Sequence, residues 1–175
     1  MKNIFRLAVF LVPAASPALA KDFISEPKAD VFGYYMPMKA VRTGKFSLHN
    51  LSLGDAKAFA DYEAGNNRIR TYAPVMLEFD DVTSAKKQNE LGQDYYAKTY
   101  RVLPTGYRVD GNVVTFSGHD KTLGDVFFAG TLDRVALKKQ KALGPNGGFK
   151  QVLKGNLSFA GQMFTNVSLG YSAGK

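Results

Sequence analysis

Cysteine and tryptophan are absent from the 175 residues, and only two histidines are present. Without thiols there is no disulfide framework, no cysteine-built zinc site, no redox CxxC pair and no cysteine nucleophile. His49 and His119 are the only side chains whose ordinary pKa lies near neutrality. No EF-hand loop, His-Glu-x-x-His helix, phosphate-cradling loop, dinucleotide fingerprint or Gly-x-Ser-x-Gly elbow occurs, so no cofactor and no metal is expected. No apolar run reaches the ~20 residues that span a bilayer, which excludes a transmembrane helix on length. Acid is missing from the last quarter of the chain. Between Arg134 and Lys175 stand seven basic residues and no acidic one, whereas residues 21–133 carry 14 basic against 15 acidic groups.

What is present begins with an export pattern. Lys2 and Arg6 precede an apolar stretch opening at Leu7 to Val12, Pro13 and Pro17 bar a continuous helix, and Ala18-Leu19-Ala20 offers small residues where a signal peptidase reads. Residues 1–20 are therefore expected to be a signal peptide and residues 21–175 a single β-rich domain, periplasmic or secreted. Without Lys2 and Arg6 the net charge falls from +8 to +6.

Period-two alternation dominates the remainder. Val75, Leu77 and Phe79 alternate with Met76, Glu78 and Asp80, as on a strand with one face against a core. Tyr107 and Val109 lead through Asp110-Gly111 to Val114 and Phe116, a hairpin signal. A polar loop from Gly118 to Gly124 leads to Val126, Phe128, Gly130 and Leu132; then Phe149, Leu153, Leu157 and Phe159 share a parity, and Thr165, Val167, Leu169 and Tyr171 return past Gly161 as a terminal hairpin. In Phe46 to Leu53 the apolar parity flips from Phe46 and Leu48 to Leu51 and Leu53, which an extra residue at His49 or Asn50 produces as a β-bulge. Val31 to Met36 reads as a strand limited by Pro37.

One short helix follows Gly54, capped by Asp55, packed by Phe59 and Ala60 and ended at Gly65. The stretch from Arg134 to Phe149, rich in Lys, Gly, Pro and Asn, reads as a basic loop. The fold class is all-β: an antiparallel β-barrel or β-sandwich of about eight strands with one short helix. Val75, Leu77, Phe79, Val114, Phe116, Val126, Phe128, Leu132, Leu153, Leu157, Val167 and Leu169 are expected to face inward.

Three sets of residues could carry function. Glu78, Asp80 and Asp81 form the densest carboxylate cluster; Glu78 and Asp80 share a parity, ~7 Å apart, a spacing that carboxylate-pair hydrolysis uses and that a solvent face also produces. With His49 re-aimed by the bulge they define a hydrolase reading. Ser117, His119 and Asp120 are too close in sequence to form a triad. Lys138, Lys139 and Lys141, with Lys150 and Lys154 on the outer parity of the next strand, form a candidate anion- or partner-binding patch. Tyr96, Tyr100 and Tyr107 belong to a tyrosine-rich first half, and a ring with a polar tip suits the mouth of a site for an apolar ligand.

The closing segment Leu153-Lys-Gly-Asn-Leu-Ser-Phe-Ala-Gly-Gln-Met-Phe-Thr-Asn-Val167 resembles the last hairpin of the YceI-like periplasmic lipid-binding barrels. The likeness covers about fifteen residues, the chain lacks that family's opening Asp and His-Ser pattern, and no functional residue is carried across. The function expected is a non-enzymatic exported protein that binds an apolar or amphiphilic ligand or a cell-envelope partner, the alternative being the hydrolase. An anionic envelope lipid or an acidic protein is the partner expected of the lysines, and nucleic acid is not.

Overall fold

The structure, a computed structural model, describes residues 22–28, 30–66, 68–144 and 148–174; the expected signal peptide lies outside them. Along the chain the strands are β1 (Phe23–Ser25), β2 (Gly33–Pro37), β3 (Arg42–Thr43), β4 (Phe46–Leu53), β5 (Val75–Asp81), β6 (Lys86–Gln88), β7 (Asp94–Tyr96), β8 (Thr99–Val102), β9 (Pro104–Asp110), β10 (Val113–Asp120), β11 (Gly124–Leu132), β12 (Gln151–Phe159) and β13 (Gln162–Ser172). Helix α1 (Ala56–Glu63) stands between β4 and β5, and helix α2 (Arg134–Leu143) between β11 and β12.

Ten strands form one sheet in the order β1-β9-β10-β11-β12-β13-β2-β4-β5-β8; β3 adds to β4, and β6 with β7 makes a separate two-stranded sheet. Every pairing is antiparallel except β1 with β9. Leu103 alone joins Val102 of β8 to Pro104 of β9, although β8 ends the sheet on one side and β9 lies next to its other end. The sheet is therefore curled into a half-barrel, with β5 drawn against β9 and β8 against β10. The fold is all-β in kind, but it is not a sandwich, and the described residues hold thirteen strands and two helices rather than about eight and one.

Burial explains the curl. All twelve residues expected inward are buried, and Tyr35, Phe59, Phe79 and Phe159 fill the interior with rings that are almost wholly hidden. Phe79 and Phe159 meet across it with centroids 4.7 Å apart. Where the ring of Phe128 must lie flat on the wall, the wall is glycine. Gly130 of β11 pairs with Gly155 of β12, and a Cβ on Gly130 would come within 2.7 Å of both the Phe128 ring and the Lys154 carbonyl.

The bulge is where parity placed it: the β4–β5 register shifts between Leu48 and Asn50. Asp55 caps α1, its carboxylate accepting from the Ala58 N–H at 2.7 Å. Phe59 and Tyr62 bury the helix, whereas Ala60 is exposed. With Phe23 and Tyr107 they make a ring cluster at β1, centroids 5.3 to 6.2 Å apart.

Four local expectations change. The basic loop after Arg134 is a helix, because Asp133 caps it through the Ala136 N–H at 2.8 Å and Leu137 and Gln140 pack inward. The β9–β10 turn is Gly111-Asn112 rather than Asp110-Gly111, since Asp110 pairs with Val113. Phe149 lies outside β12 and is partly exposed, and β10 runs through His119 to Asp120, which shortens the polar loop.

Candidate functional site

The carboxylate cluster divides between the two faces of the sheet. In β5 burial alternates strictly, so Asp81 follows Val75, Leu77 and Phe79 inward while Glu78 and Asp80 face out. Asp81 is part of the wall. Its carboxylate accepts from Thr83 Oγ1 at 2.6 Å and the Thr83 N–H at 3.1 Å, and meets Lys45 Nζ at 3.2 Å and the Tyr100 hydroxyl at 3.3 Å. The Thr83 hydroxyl above all, with the Thr83 N–H and Lys45, holds its pKa down to about 2 against the opposing effect of burial.

On the outer face His49 Nδ1 lies 3.0 Å from Asp80 Oδ2. That hydrogen bond raises the imidazole pKa above its ordinary value. Beside it Glu78 accepts from Asn50 Nδ2 at 3.3 Å and from Arg101 at 3.2 Å. The bulge thus brings His49 to Asp80 as the hydrolase reading required, but Asp81 does not join them. His119 faces Asp125 at 2.8 Å, Ser117 Oγ donates to the Gly106 carbonyl and Asp120 caps the following turn, so these three form no relay.

The three tyrosines are not gathered. Tyr96 belongs to the small β6–β7 sheet, beneath Lys86. Tyr100 is buried against Phe46, and Tyr107 is buried in the α1–β1 ring cluster, its hydroxyl donating to Glu63 at 3.2 Å. Burial raises the Tyr107 pKa, so that phenol stays protonated. Both rings are buried in the wall, and of the three tyrosines Tyr107 is among the residues that line an open trough on the outer face of β9 to β13.

The lysines are also separated. Lys138 and Lys139 are exposed on α2, but Lys141 is turned onto the Asp30 carboxylate and the Tyr171 ring. Lys150 precedes β12, and Lys154 points outward from β12.

A feature absent from the expectations lies on the outer face of β9 to β13. The register aligns Gly106, Ser117, Phe127, Ser158 and Met163 in one row across five strands. Small side chains leave a low floor between large ones, and an open trough of about 790 Å³ results, bounded on one side by Asp22 and Ile24 and at one end by Arg108. Phe127 and Met163 stand in it 51% and 59% exposed, the only large apolar side chains among its lining residues that face water to that degree. The sequence signal for Phe127 was an apolar residue on the polar parity, beside Phe128; Met163 shares the parity of Val167 and Leu169 and gave none, because the bulge at Asn166 exchanges the faces. Neither His49 nor Asp80 lines this trough.

Among the described residues no three potential metal ligands gather, and no helix is long and apolar enough to cross a membrane. No family model, curated protein or solved structure matches the chain, so the YceI-like resemblance of the last hairpin gains no support from them.

Proposed function

We propose that the chain is an exported, non-enzymatic binding protein of the cell envelope, and that an amphiphilic ligand lies in the outer trough of β9 to β13. The observation that carries this reading is the contrast between a packed interior and an open trough with half-exposed Phe127 and Met163. Tyr35, Phe59, Phe79 and Phe159 are almost wholly buried among the inner side chains, so the reading places the ligand on the outer face and not inside a barrel. Burying the two side chains under an apolar stem gives favourable transfer energy, and the open side of the trough leaves a polar head in water. Native mass spectrometry after gentle purification from the producing cell tests it. A retained lipid-like ligand, lost when Phe127 and Met163 are both changed to Ser, is expected. Recovery of empty protein that binds no hydrophobic dye when folded overturns the reading.

The His49–Asp80 contact supports a second reading, a hydrolase using His49 with Asp80 or Glu78. A substrate screen decides it: turnover that Asp80→Asn abolishes supports the enzyme, and no turnover by the parent protein removes it.

A further inference from the structure

Strand β13 outruns its neighbour. β12 pairs with it from Gln162 to Gly170, whereas β2 pairs only with Leu169 to Ser172. The ladder ends one bond beyond Pro37: the Met38 N–H donates to the Ser168 carbonyl at 2.9 Å, and the chain then turns away. Val41 is then drawn to β4, where its carbonyl accepts from Leu48. Residues 162–167 are left with a strand on one side only.

Between this free edge and residues 38–41 runs a groove of about 670 Å³. The edge sequence Gln162-Met-Phe-Thr-Asn-Val167 has no charge and no proline, two of the usual guards of an exposed strand. Its one irregularity is a bulge at Asn166, whose φ is +57° and whose N–H is held by the Asn156 side chain at 3.1 Å. Six residues of free edge offer ~20 Å of backbone donors and acceptors to an incoming strand.

Charge selects the occupant. The two walls come from the two long acid-free stretches of the chain, residues 31–54 and 134–174. Lys39 lines the groove, Lys150 is next to its lining residue Gln151, and Lys154 pairs with Ser168 at its end. Among the described residues none of these three lysines has an ion-pair partner, whereas Lys45, Arg134 and Lys141 are matched to Asp81, Glu26 and Asp30. We infer that an extended acidic polypeptide segment from a partner protein adds to the free edge of β13 as a further strand of the sheet. Main-chain hydrogen bonds to residues 162–167 supply the binding, and Lys39, Lys150 and Lys154 supply the preference for acid. The inference is independent of the trough ligand.

The test uses the full chain with two synthetic twelve-residue peptides, one alternating Val with Glu and the other Val with Lys. Amide hydrogen exchange should show new protection in residues 162–167 with the Glu peptide only. Lys39→Gln with Lys154→Gln, both at exposed positions, should weaken that binding roughly three- to tenfold at low salt and much less at high salt. Equal binding of both peptides, or protection elsewhere with none in 162–167, overturns the inference. Concentration-dependent protection of the same amides without peptide also overturns it, by giving the edge to a second copy of the chain.

Discussion

The two halves of the outer sheet surface are finished differently. Over β4, β5 and β8 it is cross-linked: His49 is bound to Asp80, Asn50 and Arg101 to Glu78. Over β9 to β13 the polar pairs stand at the rims, Arg108 with Asp110 and His119 with Asp125, and the middle is Ser117, Phe127, Ala129, Ser158 and Met163. A surface whose polar groups are satisfied by one another has little left for a ligand. One with exposed rings over a small-residue floor still has apolar area to bury. The contrast is why the proposed ligand is placed on the second half, and it separates both outer halves from the inner face, where the same strands use their side chains for packing.

The largest effect should distinguish inner from outer face. Phe159 stacks with Phe164 at 5.1 Å and meets Phe79, so Phe159→Ala leaves a cavity and should cost ~3–5 kcal/mol in urea unfolding. Phe127→Ala, on the trough side of the same sheet, should change stability by no more than ~0.5 kcal/mol while weakening the ligand. Comparable losses from both would mean that the trough residue is a packing residue.

The inner face was legible because burial imposes period two, and Val114, Phe116, Val126 and Phe128 could be assigned a side from alternation alone. The parity flip at His49 also showed in the sequence, since a bulge must exchange the faces. The shorter elements left no such trace: β1, β3, β6 and β7 are two or three residues long, too few for a period. Helix α2 was hidden because only Leu137 and Gln140 are buried, and the Gly-Pro-Asn-Gly run after it resembles a loop. The trough depends on register across five strands, which no local pattern encodes. Tyr100 and Tyr107 misled for a related reason: Tyr is suited equally to a ligand mouth and a wall, and long-range contacts decided for the wall.

Protonation should separate the two faces of β5 at opposite ends of the pH scale. Asp81 has a lowered pKa, so its stabilisation is complete above the ordinary carboxylate range and is lost as pH falls through about 2. His49 has a raised pKa, so its stabilisation is complete below the ordinary imidazole value and is lost as pH rises through the folded one. Melting temperature against pH should show both limbs. Asp81→Asn should flatten the acid limb between about pH 4 and 2, and His49→Gln the limb above about pH 6.5. An acid limb unchanged by Asp81→Asn would place the acid-sensitive group elsewhere.

A smaller effect concerns α2, the helix between β11 and β12. Asp133→Ala removes the α2 cap and should cost ~1 kcal/mol in chemical denaturation, as should Asp55→Ala in α1. Because α2 packs on β12, hydrogen exchange in Asp133→Ala should rise first along α2 and leave β4 and β5 unchanged. A uniform rise would show that α2 opens only with the whole sheet.

The smallest effect is at the tip joining β12 to β13, beside the trough and the free edge. Phe159 pairs with Gln162, leaving Ala160 and Gly161 as a two-residue turn with φ of +48° and +74°. Both positions need positive φ, as in the hairpin turn that matches sheet twist, and Ala has a Cβ that opposes it. Gly removes that opposition but gives the unfolded chain more freedom, so the gains partly cancel. Ala160→Gly should therefore stabilise the protein by only ~0.5 kcal/mol, and Ala160→Asn by somewhat more, because Asn tolerates positive φ without adding that freedom. The same exchange reversed on the inner wall, Gly155→Ala, should be strongly destabilising, since its Cβ would strike the Ala129 carbonyl and the Phe128 ring. Opposite signs in urea midpoints would show that the turn and the wall use small residues for different reasons, backbone conformation at the tip and space at the wall.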